Sequence, residues 1–432
     1  MLIGQGYEDA ALSEEEVRDL VSEATSKINL SDQKVLIIIP DLTRSAPVPQ
    51  MCSLFRELLE ERVAALDFIV ALGTHPKLDD DALSQLVGQP VVNGRVGKCQ
   101  ILNHHWDEPE TFVTLGTIDA ATLHEVTGGL MARDVPVTVN RKILEYDHLF
   151  VCGPTVPHEA VGFSGGNKYF FPGISGPEVI DFTHWLGAVI SNVNVIGIVD
   201  TPIRRIIDMA AAMIDRPKLC FSMVVRKIAG QAAGLSGLFI GTPEEAFAAA
   251  ADLSGRVHIE WVEKQYRRVL SLVPKQYDDL WTGSKGIFKL EPIVADGGEI
   301  ILYAPHINEL SYSYGQWFDE FGYHVRDYYL QQWDRFRDYP WLMLAHSAYV
   351  KGSGEFRDGV EQPRIRVTLA SGIPRERCEQ VNLGYRNPAT INLHQWQASA
   401  DNDLLVVPNA GEVLHRVRTK ASLTRPHPAT VS

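Results

Sequence analysis

Apolar runs of strand length alternate with segments of helical period along the first half of this chain. Lys34-Val-Leu-Ile-Ile-Ile39, closed by Pro40-Asp41, has the length and continuity of a strand buried on both faces, as in a parallel sheet. Ahead of it, Ser13-Glu-Glu-Glu16 carries the spacing of a capping box and predicts a helix running to about residue 27. A helical pattern over about 48–62 is followed by a second strand at Leu66–Leu72, ended by Gly73-Thr-His-Pro76. Strand, polar loop, helix, strand is the βαβ rhythm. It recurs, with strands expected at 147–153, 193–199, 219–225 and 238–240, and helices at 176–187, 202–214 and 242–269. A strand-like Glu299–Tyr303, a helical 326–336, and strands at Ile365–Leu369 and Leu404–Val407 predict a second unit of the same class. At 432 residues the chain also exceeds one ordinary core. Two α/β domains with largely parallel sheets are therefore expected, 1–270 and 271–432, divided within the helical region 255–285.

Composition narrows the class without choosing a function. With 45% apolar and 22% charged residues the chain is globular, and no apolar stretch approaches the roughly 20 residues that span a bilayer. The N-terminus is acidic and lacks the basic-then-apolar order of a signal peptide. Cys52, Cys99, Cys152, Cys220 and Cys378 show no CxxC pairing, and their odd number argues against a disulfide framework, so a reducing cytoplasm is expected. A net charge of −14 disfavours nucleic acid, which needs a concentrated basic surface. An acidic substrate stays open, because one buried Arg or Lys can bind a carboxylate whatever the global charge.

In open α/β sheets ligands bind outside the carboxyl ends of the strands, so the informative residues should follow the apolar runs. Asp41-Leu-Thr-Arg44 comes directly after the first strand; the Arg can grip a carboxylate and the Asp can orient a neighbour, although a capping Asp and a surface Arg explain the pair as well. His75 in Gly73-Thr-His75-Pro76 follows the second strand, where a histidine suits acid–base work near neutral pH. The densest loop runs from Gly153 to Gly173 and includes His158, Gly162, Gly165, Gly166 and Lys168. It is not a P-loop: Asn167 replaces the glycine before the lysine, and Tyr169 stands where a magnesium-binding Ser or Thr belongs. Lys168 lies among apolar and glycine residues, and burial there would lower its pKa and make it a competent nucleophile or attachment point.

His184 follows sixteen residues later on the expected helix; a single helical histidine is more often packed core than ligand. The chain has no HExxH, HxH or Cys/His quartet, and adjacent His104-His105 point apart on a strand. In the second half, Thr282-Gly-Ser-Lys285 offers a lysine that could reach a carboxylate or phosphate, or be an ordinary surface lysine.

These residues, in this order, resemble the nickel-pincer lactate racemase family. The likeness spans about residues 35 to 300 and rests on Asp41-x-x-Arg44, Gly73-Thr-His75, Pro157-His158 with Lys168 and His184 beyond it, and Ser284-Lys285. The resemblance implies a pyridinium mononucleotide joined to Lys168, with nickel held by its ring carbon, its two sulfurs and His184. It implies inversion at C2 of a 2-hydroxy acid by proton-coupled hydride transfer. His75 and His158 would exchange the hydroxyl proton on opposite sides, Asp41 would orient a histidine, Arg44 would clamp the carboxylate, and Lys285 would help hold the substrate from the second domain. It also implies a site in an interdomain cleft, a final segment able to pack back on the first domain, and transient contact with proteins that build the cofactor. The chain departs from the family's lactate enzymes at Thr282, where they carry a glutamine. It matches the family's cofactor-side tryptophan only loosely, at Trp333. Both differences fall on the substrate side, so larger 2-hydroxy acids, including sugar acids, are open. Two other readings explain part of the pattern: a Schiff-base lyase or aldolase using Lys168, and a non-catalytic binding protein for carboxylates or sugar acids.

Overall fold

The computed structural model describes residues 2–226 and 234–418. The chain divides into two compact units, one of residues 1–186 and 197–257, the other of 187–196 with the chain from 258 onward.

The first unit is built on a sheet that, among the described residues, has eight strands: β1 (Ile3–Gly6), β2 (Lys34–Ile39), β3 (Ala65–Val70), β4 (Arg95–Val96), β5 (Cys99–Asn103), β6 (His148–Pro154), β7 (Lys218–Arg226) and β8 (Gly234–Gly241). Their order is β1-β8-β7-β6-β2-β3-β5-β4. The five central strands, β7 through β5, run parallel, and antiparallel β1, β8 and β4 close the edges. Continuous apolar runs make this possible: all of β2 after Lys34 is buried, as a strand covered on both faces must be. Helix α1 (Glu14–Ser26) opens with the expected capping box, Ser13 Oγ accepting from Glu16 N–H and Glu16 Oε2 accepting from Ser13 N–H. Helix α2 (Val48–Leu59) lays Met51, Phe55 and Leu59 on one face of the sheet, where Phe55 meets Phe221 edge-on at 4.8 Å. Helices α3 (Pro177–Ile190), α4 (Pro202–Ala212) and α5 (Pro243–Val257) follow.

The second unit carries a parallel sheet of β9 (Tyr266–Leu272), β10 (Val294–Ala304), β11 (Arg366–Ser371), β12 (Gly384–Tyr385) and β13 (Leu404–Val407), in the order β12-β11-β10-β9-β13.

Three expectations are corrected. The helix foreseen over 242–269 ends at Val257, because Ile259–Val262 pairs with Leu414–Val417 and β9 pairs with β10 and β13. The division falls at 257/258, inside the region 255–285 expected to hold it but ahead of the 270/271 bound, with 187–196 joining the second unit. Val193–Val199, apolar enough for a strand, instead holds a short helix, Asn192–Val195. The buried Asn192 amide fixes that turn by donating to Phe288 O at 2.9 Å and Glu291 Oε2 at 3.0 Å. All five cysteines are buried free thiols. Among the described residues no helix is long and apolar enough to cross a membrane.

Candidate active site

The strand order of the first sheet reverses between β2 and β6: β3 and β5 extend one way from β2, and the chain returns to lay β6 on the other side. A crevice at the carboxyl ends flanking such a reversal is where open α/β sheets bind ligands. Three polar loops leave the sheet at this end, after β2, β3 and β6.

After β2, Asp41 is buried and accepts from the Thr43 N–H and hydroxyl, at 3.1 and 2.6 Å. Its other oxygen receives His75 Nδ1, which comes from the loop after β3. Burial pushes the Asp41 carboxyl up, but the His75 hydrogen bond and charge, with Arg44 and the Thr43 hydroxyl, outweigh it and hold the group well below the usual range. A carboxylate on Nδ1 fixes the His75 tautomer with its proton there, so the Nε2 lone pair is the one that can accept a proton. Trp106 Nε1–H, donating to the His75 carbonyl at 2.9 Å, secures the backbone. The Gly73 N–H donates to Gly173 O at 2.9 Å and ties this loop to the next.

The loop after β6 doubles back as a two-rung hairpin, Pro157–His158 against Gly162–Phe163, and then makes a short helical turn, Gly166–Tyr169. His158 is buried; its Nδ1 accepts from the Ala160 N–H at 3.2 Å, with Glu159 Oε2 at 3.5 Å. A neutral His158 in this setting carries its proton on Nε2, the opposite tautomer from His75. Gly162, opposite His158, has φ +87, and a Cβ there would sit 1.9 Å from Ile198 O. Gly162→Ala should therefore cost about 2–4 kcal/mol, read as a lower denaturation midpoint. An unchanged midpoint would show that this backbone is not fixed.

Lys168 retains some exposed surface, yet its surroundings are those of the interior. Among the described residues its ammonium has no hydrogen bond or ion pair. Burial, then the charge of Arg44 and more weakly Arg204, bring its pKa down to about 7, against the opposing pull of Glu159 and Asp41. Helix α3 presents His184, whose Nδ1–H donates to the Ile180 carbonyl one turn back at 2.8 Å. Burial, and then the Lys168 charge, lower its pKa to about 4. His184 is thus a neutral imidazole with its lone pair on Nε2, the form that ligates metals, and its other nitrogen is held as such ligands require.

The first unit therefore brings together Asp41, Arg44, His75, His158, Lys168 and His184. The loop also depends on residues that sequence reasoning did not select. Buried Arg204, on α4, donates to Phe163 O and Gly165 O at 2.5 and 3.1 Å and lies 3.9 Å over the Phe247 ring. Asn167 donates to Asp208 and Glu244 at 2.9 and 2.6 Å. Arg204, spaced with Ile203 and Ile207 on the apolar face of its helix, was the available signal, since a buried arginine needs several acceptors. Glu159 was visible only as a neighbour of His158. His104 is structural: it is fully buried between Asn140 Nδ2 at 3.1 Å and Ser175 O at 3.2 Å, and burial lowers its pKa to about 4.

In the second unit Lys285 Nζ lies 4.8 Å from the Tyr277 ring centroid, and Trp333 packs against Trp341 at 5.2 Å. The Thr282 hydroxyl donates to Asp279 Oδ1 at 2.8 Å and so helps cap its own short helix. Among the described residues no group of three or more His, Cys, Asp or Glu is arranged to hold a metal.

Residues 8–197 match the lactate racemase N-terminal domain family. Two solved structures superpose over 96% of this chain and 100% of theirs. One is a Thermotoga maritima protein solved as a structural genomics target, 30% identical with a TM-score of 0.85. The other is the lactate racemase apoprotein from Thermoanaerobacterium thermosaccharolyticum, 18% identical with a TM-score of 0.70, a likeness of fold. No curated protein matches the sequence. With that N-terminal domain matched and the fold shared from end to end, the chain belongs to the lactate-racemase-like family.

Proposed function

We propose that this protein is a 2-hydroxyacid racemase or epimerase that inverts C2 with the help of a nickel-pincer nucleotide attached at Lys168. The observation that carries this reading is a pKa-lowered lysine, without a hydrogen bond or ion pair on its ammonium among the described residues, close enough to a neutral, Nδ1-anchored histidine for its charge to be felt there. The residues present suit the group: Lys168 could be acylated by it, and His184 Nε2 could supply one donor to its nickel ion. When bound, that group supplies the acceptor and donor for the α-hydride.

The chain's own residues handle charge and protons. Arg44 grips the substrate carboxylate, a bidentate task for which a guanidinium is shaped. His75 Nε2 takes the hydroxyl proton, and the buried Asp41 carboxylate stabilises the imidazolium that forms. On the other side His158, charged as an imidazolium with Glu159 Oε2 3.5 Å from its Nδ1, returns a proton to the carbonyl oxygen of the 2-oxo acid. In the reverse direction the two exchange roles. The family resemblance gives Lys285 a substrate role and Trp333 a cofactor role. Thr282, with its hydroxyl already engaged by Asp279, takes less room than a glutamine, which favours acids larger than lactate.

The test is the mass of the Lys168 peptide together with nickel content, after co-production with cofactor-building enzymes. A pyridinium-derived adduct with near-stoichiometric nickel supports the reading, and a chiral screen of 2-hydroxy acids then finds the substrate. A bare lysine and no nickel in folded protein overturns it, in favour of a Schiff-base enzyme if borohydride traps substrate on Lys168, or of a binding protein if it does not. His184→Ala should keep the organic adduct while nickel falls to about a tenth or less. Retention of full nickel would remove His184 from the ligand set.

A further inference from the structure

We infer, resting on the racemase or epimerase reading, that the Tyr169 hydroxyl is a second donor to the substrate carboxylate, beside Arg44. Tyr169 closes the short turn that carries Lys168, one position after it. Successive side chains of a helical turn diverge by about 100–120°, so phenol and amine leave it in different directions. The ring is buried, with 8% of the residue exposed, and its tip lies over Gly153 near the carboxyl end of β6. A Cβ at Gly153 would stand 1.8 Å from Tyr169 Oη and 2.1 Å from Cζ, so the missing side chain is what admits the phenol. Strand β6 pairs in parallel with β2, Ile38 beside Val151. Carried on, that register sets Gly153 level with Pro40, one residue ahead of Asp41 and about 5 Å across. The hydroxyl therefore stands at the strand ends that feed the Asp41–Arg44 loop and the lysine loop.

Among the described residues this hydroxyl makes no hydrogen bond, and unlike that of Tyr323 it is not sealed from solvent. Its O–H thus has a direction left open to water or to a ligand. Burial raises the phenol pKa well above its ordinary value, against the opposing charge of Arg44, so the group is a donor throughout the neutral range. The turn beneath it is fastened by the Asn167 amide, which donates to Asp208 and Glu244 at 2.9 and 2.6 Å. A fixed, protonated phenol within reach of the Arg44 charge suits an anion that only accepts. A carboxylate is that anion, with one oxygen for the guanidinium and one for the phenol. Once a bound substrate expels water, an unmet O–H would cost about 1–3 kcal/mol. An acid that offers an oxygen there avoids the penalty.

Tyr169→Phe removes the oxygen alone and is the direct test. Because that oxygen bonds nothing in the protein, the denaturation midpoint, the Lys168 adduct and the nickel content should match the parent. With the acid that the loaded enzyme inverts fastest among lactate, glycerate and gluconate, KM should rise about 10–100-fold while kcat stays within about threefold. Calorimetric titration of the loaded protein with pyruvate, which carries the carboxylate but no hydride to give, should weaken by the same factor. In an Arg44→Lys background the effect of Tyr169→Phe should shrink, because both groups hold one carboxylate. Parent-like KM and pyruvate affinity, or a loss confined to kcat, overturns the inference. So does a lowered midpoint or a lost adduct with KM unchanged, which would make the hydroxyl structural. Effects that multiply fully with Arg44→Lys place the bond elsewhere on the substrate and overturn the carboxylate role. If protein bearing adduct and nickel inverts none of the three acids, the racemase reading falls and takes this inference with it.

Discussion

Protein carrying Lys168→Ala, co-produced with the cofactor-building enzymes, should contain no organic adduct and should turn over 2-hydroxy acids at less than about a thousandth of the parent rate. The magnitude follows from what the lysine is asked to do. It is the covalent tether, so its loss removes the hydride carrier rather than weakening a contact. Lys168→Arg should fail as completely, because a guanidinium does not deprotonate at neutral pH. The same residue makes a second prediction in the cofactor-free parent. With its pKa lowered to about 7 by burial and by Arg44, Lys168 is substantially neutral amine at pH 8, where surface lysines are almost wholly charged. Acylation at Lys168, followed by peptide mass, should rise with pH, pass half-maximum near 7 and level off, while other lysines keep rising toward pH 10. A Lys168 that labels no faster than the surface lysines at pH 8 would mean that the amine is not activated as described.

The elements that position this site were legible because burial on both faces of a parallel sheet demands continuous apolar runs, and Lys34–Ile39 and the run at 147–153 supply them with few alternatives. The loops were legible for a related reason: a polar, glycine-rich stretch directly after such a run has one place to be, the carboxyl edge of the sheet. What stayed hidden depends on partners distant in sequence. Val193–Val199 reads as a strand until Asn192 is seen to bond Phe288 and Glu291, almost a hundred residues away. Helical composition carries past Val257, but strand pairing with residues 414–417 and 404–407 overrides it. The hairpin of Phe112–Ile118 with Val135–Asn140 was missed because its first strand is only half buried and lacks the strict alternation of a surface strand. An arginine on the apolar face of α4 hinted at burial for Arg204, but not at its acceptors, which are backbone carbonyls of the lysine loop. The roles of His75 and His158 could be assigned as a pair from the sequence, but not their tautomers. Those come from Asp41 on one ring and the Ala160 N–H on the other.

That tautomeric opposition carries the second large effect. His75→Ala and His158→Ala should each slow racemisation by about 10²–10⁴-fold, the usual worth of a positioned acid or base, while the Lys168 adduct and nickel stay at parent levels. Neither residue is needed for attachment, so retained cofactor separates a lost proton-transfer step from an unloaded enzyme. Asp41→Asn should fall between the variants and the parent. The amide oxygen can still accept from His75 Nδ1–H and keep the ring oriented, but the negative charge that stabilises the imidazolium is gone. The loss should lie mainly in kcat, because Asp41 is buried behind His75 and its charge matters most once the ring has taken a proton. Full activity in either alanine variant would sink the two-histidine scheme, and a single histidine would then have to serve both faces of the substrate. Loss of adduct in either would instead mean that the residue shapes the lysine loop. For His158 the two outcomes must be separated, since it forms one rung of the hairpin that leads into Lys168, whereas the loop of His75 is tied to it through the Gly73–Gly173 hydrogen bond.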